Sequence, residues 1–254
     1  MLLAIDIGNT NTVLGVFSGT ELIGHWRLGS DPNRTTDEYA VLIRGLWEFA
    51  KIPPEAVDGV IIASVVPALN RVFSDVARAF LGKEPLLIGP GIKTGMTIKY
   101  DDPREVGADR IVNAVAAFDK YKAASIVVDF GTATTFDCVG KKGEYLGGVI
   151  APGIGVSMEA LFNKASKLPK VAFAKPPHII AKNTVHAMQA GSYFGYAAMV
   201  EGLLKRLFDE MGHRPVVIAT GGAARQVAEE IGEIDHVDEF LTLEGLRIIY
   251  QRNL

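Results

Sequence analysis

Two apolar runs of strand type, Leu2-Leu3-Ala4-Ile5 and Ile126-Val127-Val128, each lead into an acid, a glycine and a string of hydroxyl or amide residues. The first string reads Asp6-Ile7-Gly8-Asn9-Thr10-Asn11-Thr12 and runs on into Val13-Leu14-Gly15-Val16-Phe17. The second reads Asp129-Phe130-Gly131-Thr132-Ala133-Thr134-Thr135 and runs on into Phe136-Asp137-Cys138-Val139. Apolar run, turn residues, apolar run is the pattern of a β-hairpin. A third run follows each hairpin, at Leu22 to Leu28 and at Tyr145 to Ile150, and predicts a meander in both halves. Asp6 and Asp129 stand 123 residues apart in a chain of 254, so the pattern recurs once per half. It predicts two similar domains, residues 1–120 and 121–254, each presenting a hairpin to a shared cleft.

Helical spacing fills the intervals. Thr35-Thr36-Asp37-Glu38 supplies a capping hydroxyl and first-turn acids before Tyr39, Leu42, Ile43, Leu46 and Trp47, with Pro53-Pro54 as the stop. Val60 to Ser64 reads as a buried strand, Val72, Val76, Ala79 and Phe80 as a helix ended by Gly82, and Leu86-Leu87-Ile88 as a further strand. Ile111, Ala114, Val115 and Phe118 predict a helix whose first turn holds Asp109 and Arg110. In the second half, Met158, Leu161 and Phe162 lie on a helix entered from Pro152-Gly153. A lysine- and proline-rich stretch over residues 163–182 reads as an exposed excursion with solvated lysines. Asn183-Thr184 opens a long helix carrying Met188, Tyr193, Phe194 and Tyr196 among small residues, which suits core packing or a contact between two copies of the chain. A strand over residues 215–220 feeds a helix over 223–231, and residues 243–252 form a last short helix of the second domain.

Composition narrows the class. With 48% hydrophobic and 22% charged residues, the chain has the make-up of a soluble globular protein, and its net charge of −3 gives no reason to expect nucleic acid or anionic lipid as a partner. One cysteine, Cys138, forms no intrachain disulfide and fits a reducing compartment. Asp6 comes too early for a signal-peptide apolar region and no run reaches transmembrane length, so a cytoplasmic location is expected. The five histidines show no zinc-ligand spacing.

The chemistry concentrates in few places. Glycine after the strand-end acid lets a ligand approach the backbone, and the neighbouring N–H, Asn and Thr groups are donors for an anion. One such turn is satisfied by a purely structural role; two, similarly flanked, point to phosphate handling. The loop over residues 89–95 lacks both nucleotide fingerprints: Thr94 stands where the dinucleotide pattern needs glycine, and the chain has no Gly-Lys-Ser/Thr triplet. Asp109 at a helix N-terminus is favoured as the anion by the macrodipole. Thr220-Gly221-Gly222 after a buried strand is either a plain turn or a surface for a flat ring against backbone.

Taken together, Asp6-Ile7-Gly8-Asn9-Thr10, Gly107-Ala108-Asp109-Arg110, Asp129-Phe130-Gly131-Thr132-Ala133, Gly147-Gly148, Pro152-Gly153, Asn183-Thr184 and Thr220-Gly221-Gly222 resemble, in this order, the type III pantothenate kinases. The resemblance spans nearly the whole chain. It implies the α/β fold of the acetate and sugar kinase, Hsp70 and actin superfamily: two duplicated actin-like (ribonuclease H-like) domains, each a mixed five-stranded sheet flanked by helices, with the active site in the cleft between them. It implies phosphorylation of pantothenate by ATP to 4′-phosphopantothenate, the first step of coenzyme A biosynthesis, in a cytoplasmic homodimer.

Residue by residue, the resemblance implies ATP binding by Asp6, Ile7, Gly8, Asn9, Thr10, Asn11, Thr12 and Val13, by Thr132, and by Gly221 and Gly222. Asp6 would meet Mg²⁺ or its waters, and Asp129 would hold a monovalent cation, K⁺ or NH₄⁺. Tyr100, Gly107, Ala108, Asp109, Arg110 and Thr184 would contact pantothenate, and Asp109 would take the hydroxyl proton. Two other readings of the residues stay open: another kinase or phosphohydrolase of the same superfamily, and an ATP-binding regulatory protein without catalysis.

Overall fold

The computed structural model describes residues 1–254 and divides into two compact units, Met1–Ala116 with Phe240–Leu254, and Ala117–Glu239. In the first unit, β1 (Leu2–Ile7), β2 (Asn11–Ser18) and β3 (Glu21–Gly29) form the meander. Helix α1 (Thr36–Ala50), β4 (Gly59–Ser64), α2 (Pro67–Leu81) and β5 (Leu86–Leu87) follow, then the two-residue β6 (Thr97–Ile98) and α3 (Ala108–Tyr121), within which the unit boundary falls. The sheet order is β3-β2-β1-β4-β5, with β1 antiparallel to β2 and parallel to β4.

The second unit repeats this plan. It holds β7 (Ser125–Phe130), β8 (Ala133–Val139), β9 (Glu144–Pro152), α4 (Ile154–Lys164), α5 (Thr184–Met211), β10 (Val216–Thr220), α6 (Ala224–Ala228) and β11 (His236–Val237). Its strands run β9-β8-β7-β10-β11, again antiparallel in the meander and parallel at the crossover from β7 to β10. The duplication expected from the two hairpins is therefore carried by strand order and direction alike.

Local chemistry explains the element ends. Thr35 and Glu38 form a reciprocal capping box at α1, with the Thr35 hydroxyl accepting from Glu38 N–H and the Glu38 carboxylate accepting from Thr35 N–H. Gly82 ends α2 in the left-handed region at φ 63°, and Asn183 caps α5 by accepting from His186 N–H at 2.8 Å. Helix α6 stops at Ala228, short of the expected 231, and Ile231 turns into the core instead. Residues 163 and 164 are the end of α4, and 165–182 have no regular structure, but Lys175 is not merely solvated: it pairs with Glu230 at 2.5 Å and lies over the Tyr193 ring.

One boundary differs from the sequence-based division. The last helix, α7 (Leu241–Arg252), packs with the first unit, not the second. Leu243, Leu246 and Ile249 are buried against Leu2, Ala4, Ile61, Ala63, Val112 and Val115, so α7 and α3 cover the face of the first sheet that α1 and α2 leave open. Sequence order cannot reveal this return, because an apolar helical stripe is blind to which sheet it covers.

Gly245 marks the closest contact of α7, since a Cβ there would fall 2.2 Å from the Val112 carbonyl oxygen. Alanine in a helix interior gains about 1 kcal/mol over glycine. Overpacking against a backbone that cannot yield costs about 1–3 kcal/mol. Gly245→Ala is expected to destabilise the protein by up to about 2 kcal/mol in urea denaturation, the clash outweighing the propensity gain.

Candidate functional site

In the first unit the hairpin places Asp6 at the penultimate position of β1, in register with Val13 on β2 and Ala63 on β4. The turn closes with Gly8 N–H donating to the Asn11 carbonyl at 3.0 Å, and the end of β3 supports it as Ser30 N–H donates to the Thr10 carbonyl. Asn9, Thr10 and Asn11 stand exposed at the tip, while the side chains of Ile7 and Thr12 point inward. Ile7 belongs to the core and the Thr12 hydroxyl is bonded to Ser30 Oγ at 2.9 Å, so these two residues offer a ligand their backbone only.

Asp109 occupies the first turn of α3, half-buried, with Oδ1 accepting from Arg110 N–H at 2.9 Å. Gly107 makes room for that carboxylate, because a Cβ there would sit 2.5 Å from Asp109 Oδ1. The helix macrodipole acting alone would lower the carboxylate's pKa. Here burial raises the Asp109 pKa above the ordinary carboxylate value, only partly opposed by the Arg110 N–H and the Arg110 charge. A carboxylate that holds a proton more firmly than an exposed one, yet is oriented by a backbone donor, is suited to accept a proton. Arg110 is buried at its side, and Tyr100 is half-buried upstream. Arg104 is committed to a bidentate pair with Asp102.

In the second unit Asp129 lies in register between Thr135 on β8 and Thr220 on β10. Gly221 has φ 91°, and a Cβ on it would fall 2.4 Å from Asp129 Oδ1 and 2.8 Å from the Phe130 backbone. Only glycine lets the two strand ends close this far. Gly153 plays the same part at the turn, donating its N–H to the Thr132 carbonyl at 3.1 Å, with no room for a Cβ beside the Gly131 and Thr132 carbonyls. Thr132 and Gly222 are exposed. The cradle at Asp129, one carboxylate among closely approaching backbone, has the hard oxygen donors that a monovalent cation takes in place of water. Asp6, half-buried at a strand end, fits a magnesium ion that keeps most of its water shell.

Thr184, the first residue of α5, is exposed on a groove of about 840 Å³ between α4 and α5, lined also by Met158, Leu161, Met188, Tyr196 and Met199. The structure thus gathers Tyr100 and residues 107–110 in one segment of the first unit. It gathers Asp129 and Gly221 at adjacent strand ends of the second, and it sets Thr184 on the groove. Sequence reading passed over Asp137 and Tyr145, which are both fully buried and hydrogen-bonded to each other at 2.8 Å. The signal was present as an acid inside the second apolar run of the second hairpin.

Comparison with known proteins shows the family and the fold. The family model described as Type III pantothenate kinase matches residues 2–206. The type III pantothenate kinase of Myxococcus xanthus is 58% identical over 253 residues, covering 100% of this chain and 99% of its own. That of Moorella thermoacetica is 54% identical over 253 residues, covering 100% of both. Among solved structures, component A of the (R)-2-hydroxyglutaryl-CoA dehydratase of Acidaminococcus fermentans superposes with a TM-score of 0.54 at 16% identity, over 98% of this chain and 96% of its own. The inorganic polyphosphate/ATP-glucomannokinase of Arthrobacter sp. strain KM gives 0.50 at 15%, over 98% of each chain. These last two share the fold alone. By its family model and its full-length relatives, the chain belongs to the type III pantothenate kinase family.

Proposed function

We propose that this chain transfers the γ-phosphoryl group of ATP to the primary hydroxyl of pantothenate, giving 4′-phosphopantothenate and ADP at the entry to coenzyme A synthesis. The observation that carries the reading is Asp109: an oriented, half-buried carboxylate of raised pKa, in a chain whose full-length relatives are named type III pantothenate kinase. Gly107, Ala108 and Arg110 bind the acceptor beside it, with Tyr100 and Thr184 as further contacts. The turn from Asp6 to Val13 takes the ATP phosphates through its backbone N–H groups and the exposed Asn9, Thr10 and Asn11. Thr132, Gly221 and Gly222 face the nucleotide.

Phosphoryl transfer runs through a loose transition state, so the protein positions groups and neutralises charge more than it makes bonds. The pantothenate oxygen attacks phosphorus as the bond to the ADP oxygen breaks. Asp109 orients the hydroxyl and accepts its proton late in the step. Asp6 would hold Mg²⁺ through its waters and Asp129 a monovalent cation, which would supply positive charge against the phosphates. The exposed Ile150, Ile179 and Ile180 and the groove along α5 support a homodimer, the form in which we place the protein in the cytoplasm. No helix is long and apolar enough to cross a membrane.

Coupled ADP release with ATP, Mg²⁺ and pantothenate is expected to depend on pantothenate and to be faster in potassium than in sodium. ADP release indifferent to pantothenate would instead assign a different acceptor or a phosphohydrolase. Asp109→Asn is expected to lower kcat by about two to four orders of magnitude. The sign of its effect on stability is opposite. A carboxyl whose folded pKa is raised opposes folding once ionised, a cost that begins as pH rises through the unfolded value and is complete above the folded one. The asparagine variant should therefore melt no lower than the parent at neutral pH, which separates lost chemistry from lost fold. The parent kcat/KM should fall on the acid side at a pH above the ordinary aspartate range, and this limb should be absent from the variant's residual activity. Light scattering should give twice the mass of one 27.3 kDa chain.

A further inference from the structure

The two units are built to one plan, so each serves as a control for the other. In both, the residue in register with the strand-end acid lies on the second strand of the hairpin: Val13 faces Asp6, and Thr135 faces Asp129. Two residues further along the same face come Gly15 in the first unit and Asp137 in the second. Both meanders then carry a register shift, between Val16 and Phe17 and between Cys138 and Val139. The extra residue turns Leu22 in one case and Tyr145 in the other back to that same face.

The corresponding triplets are therefore Val13, Gly15 and Leu22 against Thr135, Asp137 and Tyr145. The first is apolar, and the space over Gly15 is filled by Leu22 and Leu243. The second is a hydrogen-bonded chain: Tyr145 Oη donates to Asp137 Oδ1 at 2.8 Å and Thr135 Oγ1 donates to Asp137 Oδ2 at 3.1 Å. Asp137 and Tyr145 are fully buried, whereas Thr135 reaches the half-buried level of Asp129.

A buried carboxylate is costly, and the sister unit folds with an apolar triplet in the same place. Packing alone thus gives no reason for Asp137. Its effect is to fix the Thr135 hydroxyl. With its one proton given to Asp137, that hydroxyl can act elsewhere only through its oxygen lone pairs.

We infer that Thr135 is an oxygen ligand of the monovalent cation at Asp129, with Asp137 and Tyr145 as positioning residues that hold its lone pairs available. This rests on the reading of Asp129 as the cation's carboxylate. The pair gives one anionic and one neutral oxygen on adjacent strands, beside the Gly221 cradle. At the position matching Thr135, the first unit has Val13, whose side chain carries no oxygen.

The test is a potassium titration of the full chain with Mg²⁺ and a non-hydrolysable ATP analogue, sodium balancing the ionic strength, read as the rise in melting temperature. Thr135→Val keeps the β-branched shape but takes one donor from the buried Asp137, so it is expected to melt below the parent in sodium, and its potassium response is read as the rise above its own sodium baseline. It should need about tenfold more potassium for half of the rise, while Thr135→Ser stays within about twofold of the parent. Tyr145→Phe should shift the midpoint in the same direction as Thr135→Val, by less. Asp129→Asn should lose the potassium response. A Thr135→Val protein titrating like the parent, with Asp129→Asn unresponsive, would overturn the role of Thr135 and leave Asp129 in place. A normal response in Asp129→Asn, or none in the parent, would remove the Asp129 reading and this inference with it. Should Thr135→Val fail to fold, Tyr145→Phe decides, and a parental midpoint overturns the inference.

Discussion

The fold depends on one constraint, the parallel pairing of the first strand of each meander with the strand that returns after a helix. β1 pairs with β4 and β7 with β10, so each first strand is enclosed by a neighbour on both edges and reads as an unbroken apolar run. An acid is tolerable only where such a strand leaves the sheet. Asp6 and Asp129 stand at that point, at equivalent positions of the two units. The two hairpin turns and the Gly221 cradle are built outward from those strand ends.

Glycine and buried charge then divide the work. Gly221 is required because its φ of 91° and the nearby Phe130 backbone leave no place for a side chain to begin, and Gly107 gives the Asp109 carboxylate room in its present position. At Asp109 burial and the backbone donor pull the pKa in opposite directions and burial prevails, which leaves the group more basic than an exposed aspartate while still oriented. At Asp137 two hydroxyl donors meet the carboxylate inside the sheet's own layer. The first unit keeps a continuous apolar face at the same place, covered by α7, so the duplication has been specialised on one side only.

Much of this was legible in the sequence, and the reasons are specific. Strand-end acids followed by glycine declare the hairpins, Thr35 and Glu38 declare the start of α1, and Gly82 and Asn183 mark their helix ends because each performs a local act of capping. What escaped is non-local. The attachment of α7 to the first unit depends on which sheet face lacks a helix, and the extent of α6 depends on where Ile231 finds the core. The Tyr145 contact with Asp137 exists only because a register shift brings the tyrosine to the acid's face, and alternation read from the sequence puts it on the other.

The most direct measurement of the central claim is mass spectrometric and ³¹P NMR identification of the product formed from ATP and pantothenate by the purified full chain in potassium buffer. The account predicts a phosphate monoester on the primary hydroxyl of pantothenate, formed in step with ADP and at least a hundredfold more slowly by Asp109→Asn, about the lower bound for loss of a positioned base. Inorganic phosphate as the sole phosphorus product besides ADP, or an ester formed equally fast without Asp109, would contradict it.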